Sequence, residues 1–162
     1  MNRKAGFLRN FVFGVEDSLV STVGLLSGVA ATGSDSQTIF ATGVILVFVE
    51  AFSMAVGSFL SENSAEEFAE KKEEPLSRSA PDAFVMFFSY FVSGFIPLFP
   101  YIFAPAATAL PVSIGASLVA LGFLGFGSAK LSHTNAAKGI LKMAVLGGVA
   151  IGIGVAVGMF LK

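Results

Sequence analysis

The sequence predicts an all-α fold, a polytopic membrane protein with five transmembrane helices. Three observations carry this. The 162 residues are 54% hydrophobic and only 13% charged, with a mean hydropathy of +0.81. The apolar residues gather in five stretches, 11–32, 38–61, 82–103, 110–130 and 139–161, each close to the roughly 20 residues that cross a hydrocarbon core of about 30 Å. The period-2 alternation of barrel strands is absent, and an open sheet cannot satisfy its backbone in lipid. Residues 1–162 therefore read as one transmembrane domain. A short acidic connection, 62–81, lies within it, and no room remains for a separate soluble domain.

The first stretch follows Asn2-Arg3-Lys4 and resembles a signal peptide only superficially. Glu16 and Asp17 interrupt it where an uncharged core is required, and it is too long. The basic residues set the orientation. Arg3, Lys4 and Arg9 precede the first helix, Lys71, Lys72 and Arg78 lie between the second and third, and Lys130, Lys138 and Lys142 flank the fourth connection. The opposite connections carry none, and Lys162 alone falls across. By the positive-inside rule the N-terminus and the 62–81 connection are cytoplasmic, and five crossings place the C-terminus outside or in a lumen. Gly24/Gly28, Gly148/Gly152 and Gly154/Gly158 are small-xxx-small pairs that let helix backbones approach closely. Five helices do not divide into an internal repeat, so a homodimer is expected to supply the symmetry.

Function is carried by acidic residues in apolar surroundings. Glu16 and Asp17 lie inside the first stretch and Glu50 lies in the middle of the second, where an ionised side chain costs at least a few kcal/mol and faces a partner, a cavity or an ion path. Glu50, Met54, Gly57 and Ser61 share one helical face, and Asp17, Ser21, Gly24 and Gly28 share another. Glu16 points about 100° away from Asp17. Packing these faces together is expected to join Asp17, Glu50 and Met54 into a metal site beside a cavity. A carboxylate and thioether mixture suits Fe²⁺ or Mn²⁺ better than Mg²⁺ or Ca²⁺, which prefer all-oxygen shells. Metal and protons compete for such oxygens, which is the chemistry of a metal/proton exchanger.

The second helix is predicted to run beyond the bilayer, because no glycine or proline intervenes from Ser61 to Glu74. Glu62, Glu66, Glu70 and Glu74 recur at i+4 steps, and each like-charge pair costs a few tenths of a kcal/mol unless neutralised. Glu62, Glu66, Glu67 and Glu70 are candidate cytoplasmic metal collectors, set against an ordinary solvated helix face with Glu67 and Lys71 paired. Pro97 and Pro100 near the end of the third helix free backbone carbonyls, either as metal-facing oxygens or merely to shape the helix end. The lone His133 falls in a short turn and is read as incidental. With no cysteine, no nucleophile paired with a base and no phosphate loop, an enzyme is not expected, and no bound cofactor is expected. A net charge of −1 argues against nucleic acid as a partner.

These residues resemble the vacuolar iron transporter family. The resemblance rests on Phe13-Gly-Val-Glu-Asp-Ser-Leu-Val-Ser-Thr-Val-Gly-Leu-Leu-Ser-Gly28, on Glu50-Ala-Phe-Ser-Met-Ala-Val-Gly-Ser-Phe-Leu-Ser61, on Ile96-Pro-Leu-Phe-Pro-Tyr101, and on the glycine-rich last helix opened by Gly139-Ile-Leu-Lys142. It extends over nearly the whole chain. The family's aspartate before "Leu-Val-Ser-Thr" falls on Asp17 and its "Ser-Met" methionine on Met54. The resemblance implies a homodimer with a metal path along the first and second helices at the subunit interface, moving Fe²⁺ out of the cytosol against protons, and cytoplasmic glutamates that collect metal. Three features depart from the family pattern. Glu16-Asp17-Ser18 replaces "Asn-Asp-Gly" or "Ser-Asp-Gly", Glu50 is not matched to the family's acidic position near "Ser-Met", and the long metal-binding domain of plant members is reduced to the 62–81 connection.

The expected function is thus export of Fe²⁺, with Mn²⁺ as a second cargo, by a dimeric multi-pass antiporter. The alternative from another class is a structural or interaction protein whose acidic helix binds a cytoplasmic partner. A lipid-modifying membrane enzyme ranks last, for want of paired aspartates at close spacing.

Overall fold

The computed structural model describes residues 3–73 and 75–162, and among these every regular element is helical. Asn2 and Glu74 lie outside the described residues. Helix α1 runs Arg3–Ala31, α2 Ser36–Glu70, α3 Ala80–Leu98, α4 Pro100–Phe103, α5 Ala106–Leu131 and α6 Ala136–Phe160, and a single 3₁₀ turn covers Leu76–Arg78. Five segments are long and apolar enough to cross a membrane: Ala5–Ala31, Ser36–Glu70, Ala80–Phe103, Ala106–Leu131 and Ala136–Phe160. The all-α, five-span expectation holds, and the chain is an integral multi-pass membrane protein.

The helices differ from the apolar stretches at their ends, where hydropathy and helix formation separate. Helix α1 starts at Arg3, eight residues before its apolar run begins at position 11. Nothing in that polar segment breaks a helix, so the backbone hydrogen bonds simply continue. Helix α2 has 35 residues, about 52 Å at 1.5 Å per residue, so its end projects well past a core of about 30 Å. It stops at Glu70 rather than Glu74, because Lys71 adopts the left-handed conformation, φ 53°, that closes helix C-termini.

The turn from α1 to α2 is specified locally. Gly33 has φ 90°, a conformation that disfavours any side chain. Asp35 Oδ1 then accepts hydrogen bonds from the backbone N–H of Gln37 at 2.9 Å and Thr38 at 3.0 Å, capping α2. Ser36 Oγ donates to the carbonyl of Ala104 at 3.0 Å, so this turn and the α4–α5 turn meet at one end of the bundle. Asn135 caps α6 in the same way through Lys138 N–H.

Helix α1 is the central element and packs against α2, α3, α5 and α6. Leu19, Val23 and Leu26 are fully buried. Glycine allows the closest of these contacts. A Cβ on Gly154 or Gly158 would strike the carbonyl oxygens of Gly24 and Gly28 respectively, so two of the three predicted small-residue pairs lie across the α1–α6 contact. The third pair does not: a Cβ on Gly148 or Gly152 meets nothing within 4 Å. A further close crossing, Gly125 of α5 against Gly139 of α6, escaped the sequence pattern because its partners lie on different helices. Ile45, Phe48, Val49 and Phe52 of α2 and Val145, Val149 and Ile153 of α6 are exposed, as a lipid-facing surface requires. Pro97 shapes the helix end, and its carbonyl takes a hydrogen bond from Ser113 Oγ at 2.7 Å.

Candidate functional site

The polar interior lies where α1, α2 and α3 meet. Tyr90 of α3 is completely buried, and its hydroxyl donates to Glu50 Oε2 at 2.9 Å. Ser21 Oγ lies 2.7 Å from the same hydroxyl. Because the phenol has one proton, committed to Glu50, the serine hydroxyl donates to the phenol oxygen. Ser18 Oγ donates to the Tyr90 carbonyl at 2.7 Å, which fixes α3 against α1. Asp17 lies within electrostatic reach of both Glu50 and Tyr90. The carboxylates of α1 and α2 therefore lie within electrostatic reach of one another, and a tyrosine on a third helix, which the sequence did not single out, holds Glu50. A buried phenol needs a polar partner, and Tyr90 is one of only two tyrosines; that was the available signal.

Met54 is placed differently. It lines a cavity of 840 Å³ that Glu16 also lines, whereas Asp17 lines a second cavity of 520 Å³ between α1 and α6, with Ser21, Gly24, Gly28 and Thr32. Met54 and Asp17 thus line different cavities, while Glu50 is held by Tyr90. Among the described residues, no three Asp, Glu or His side chains form a preformed metal cage.

The projecting end of α2 is neutralised from within. Glu62 is buried and pairs with Arg9 at 2.6 Å, and Glu66 pairs with Arg78 at 3.3 Å. Two members of the i+4 acidic stripe thus find cations in the chain itself. Glu67 is partly buried and Glu70 is exposed. Nearby, buried Asn10 donates through Nδ2 to buried Asp82 at 2.9 Å. Sequence reasoning missed this pair, since 72 residues separate its members. His133 is exposed in its turn with φ 52°.

A spanning helical bundle with acidic side chains hydrogen-bonded in its interior defines a polytopic membrane protein of the kind that handles cations. The chain belongs to the VIT family, whose family model matches residues 8–80 and 70–159. It is 27% identical to "Vacuolar iron transporter homolog 4" of Arabidopsis thaliana, covering 94% of this chain and 82% of that one. It is 29% identical to "Vacuolar iron transporter homolog 3" of the same plant, over 94% and 82%. With "Vacuolar iron transporter 1" of Eucalyptus grandis the identity is 21%, over 88% and 82%.

Proposed function

We propose that this protein carries Fe²⁺, and Mn²⁺ as a second cargo, out of the cytosol in exchange for protons, working as a homodimer. The observation that carries this reading is the pair of carboxylates, Asp17 and Glu50, set inside the bundle near Tyr90 and Ser21, with a phenol rather than a basic side chain bonded to Glu50. Family membership and the names of the relatives support iron as the cargo.

Within this reading, Asp17 and Glu50 bind the ion. Each carboxylate holds either a proton or part of a metal ion's shell, so loading one releases the other, and that competition couples the two fluxes. Tyr90 orients Glu50 and gives its oxygen a hydrogen bond when no metal is present. Met54, on the cytoplasmic side of Glu50, offers a thioether along the approach. Glu67 and Glu70 concentrate cations at the surface, while Glu62 and Glu66 serve first to hold Arg9 and Arg78. The second acidic group of α1, Glu16, lines the cavity that Met54 also lines and is not one of the two ion-binding carboxylates.

The test is Fe²⁺ uptake into proteoliposomes with and without an imposed pH gradient. Uptake that depends on the gradient and is lost in both Asp17→Asn and Glu50→Gln supports the reading. Undiminished flux in both variants would sink the site assignment, and flux indifferent to the gradient would sink the coupling.

A further inference from the structure

A groove on the outer surface of the bundle lies apart from every residue assigned to cation handling. It runs between α1 and α5, touches α3 at Ile96, and encloses 420 Å³. On α1 its lining extends from Leu8 to Leu19, and on α5 from Ala120 to Leu131. Eleven residue steps at 1.5 Å give about 16 Å on both helices, the depth of one leaflet in a hydrocarbon core of about 30 Å. One extended acyl chain has this reach. A Cβ on Gly127 would meet nothing within 4 Å, so the floor is open, while Phe11 of α1 and Phe123 of α5 stand exposed beside it. Among the described residues, no charged side chain lines the groove.

Charge at the mouth selects the headgroup. The mouth lies at Leu8 and Leu131, next in sequence to Arg9 and Lys130. Lys130 is exposed between Gly127 and Leu131, and its Nζ lies 5.2 Å from the centre of the Phe126 ring. A lysine placed this way covers apolar surface with its stem and keeps its ammonium at the interface. No Asp or Glu occurs from residue 83 to 162. Glu62 and Asp82, which reach α1 from α2 and α3, are buried and hydrogen-bonded to Arg9 and Asn10. A phosphate therefore meets a cation at the mouth, whereas a headgroup ammonium meets no exposed carboxylate among the described residues.

We propose that this groove binds an anionic phospholipid whose headgroup carries no amine, such as phosphatidylglycerol, with one acyl chain between α1 and α5 and the phosphate on Lys130. Attraction of anionic lipid to basic residues at the membrane surface supplies the preference. Seating the chain against apolar walls supplies the fit. The site stands apart from the transport reading, because it needs neither ion flux nor any residue of the Asp17–Glu50 region.

The experiment strips the full chain of lipid in detergent and titrates it with dioleoyl-phosphatidylglycerol, dioleoyl-phosphatidylethanolamine or glycerophosphate, counting retained ligand by native mass spectrometry. One phosphatidylglycerol per chain should be held at least tenfold more tightly than phosphatidylethanolamine, and glycerophosphate should not be held. Lys130→Gln should bring the two lipids to equal retention. Gly127→Leu should abolish retention by filling the open floor, whereas Gly148→Leu, also in open space but on α6, should leave it unchanged. Equal retention of both lipids by the parent protein, retention of glycerophosphate alone, or undiminished retention in Gly127→Leu would each overturn the proposal. A second measurement needs no substitution. Phosphatidylglycerol with a diazirine midway along one chain, photolysed in vesicles, should label residues 8–19 and 120–131. Labelling confined to other segments, or none here because a second protein chain covers the groove, overturns the proposal equally.

Discussion

The carboxylates inside the bundle and those on the projecting end of α2 are stabilised by different partners. Glu50 is met by a phenol, itself held by Ser21, whereas Glu62 and Glu66 are met by Arg9 and Arg78. A hydrogen bond from a neutral hydroxyl leaves the negative charge in place, to be cancelled by a proton or a metal ion. An arginine cancels it permanently, because the guanidinium does not deprotonate. Acidic residues in the same chain are thus divided by their partners into those met by a neutral hydroxyl, which the proposed transport requires, and those whose charge an arginine cancels.

The largest expected effect tests that division directly. Asp17→Asn and Glu50→Gln should each lower Fe²⁺ flux by about a hundredfold or more, as removal of a charged ligand in a low-dielectric site predicts. Glu67→Gln with Glu70→Gln should lower it only a few-fold, through lost surface attraction that added salt also weakens. Initial rates in proteoliposomes at low and high ionic strength measure both. An equal loss in the two sets would erase the distinction.

The next effect concerns folding and has a built-in asymmetry. The Glu62 side chain is 9% exposed and that of Arg9 54%. Removing the arginine strands a buried charge, whereas removing the glutamate frees an arginine that water can solvate. Arg9→Leu should therefore cost about 2 kcal/mol, reduced from the fully buried case because Arg9 is half exposed, and Glu62→Gln less than about 1 kcal/mol. Unfolding in mixed detergent micelles reports the order. Equal or reversed costs would show that burial of Glu62 is not the deciding factor.

A third effect sharpens the interior half of the comparison. Tyr90→Phe keeps the buried ring and removes the donor to Glu50, at a cost of about 1 kcal/mol of stability. If Tyr90 positions Glu50, Fe²⁺ flux should fall several-fold and the Fe²⁺ concentration for half-maximal flux should rise. A variant with lowered stability and unchanged flux parameters would assign Tyr90 to packing alone.

The five spans were legible in the sequence because hydropathy over about 20 residues is a local property. The different directions of Glu16 and Asp17 were legible for the same reason, since helical periodicity needs only one segment. The partners were not. Arg9 reaches Glu62 across 53 residues and Tyr90 reaches Glu50 across 40, and no periodicity within one helix says which neighbour its face will meet. That Met54 lines the cavity of Glu16 and not that of Asp17 depends on how α2 is rotated against α1. The acidic stripe could be seen, but its neutralisation by Arg9 and Arg78 could not.

Asp35 provides the smallest effect and a third kind of answer to a carboxylate, because backbone donors hold its charge at a helix end. The Thr38 backbone N–H and hydroxyl, with the Gln37 N–H, hold its carboxyl below the ordinary value of 3.8. A depressed value in the folded state means that the cap stabilises the protein fully above the unfolded value. The increment is lost as pH falls through the lower, folded value. Asparagine caps equally well without a charge. Melting temperature compared at about pH 6 and about pH 3 should therefore fall slightly more in the parent than in Asp35→Asn. Being fully exposed, the cap should move the melting temperature far less than Arg9→Leu does. An identical pH response in the two proteins would mean that the charge on Asp35 adds nothing to the hydrogen bonds that an amide oxygen makes as well.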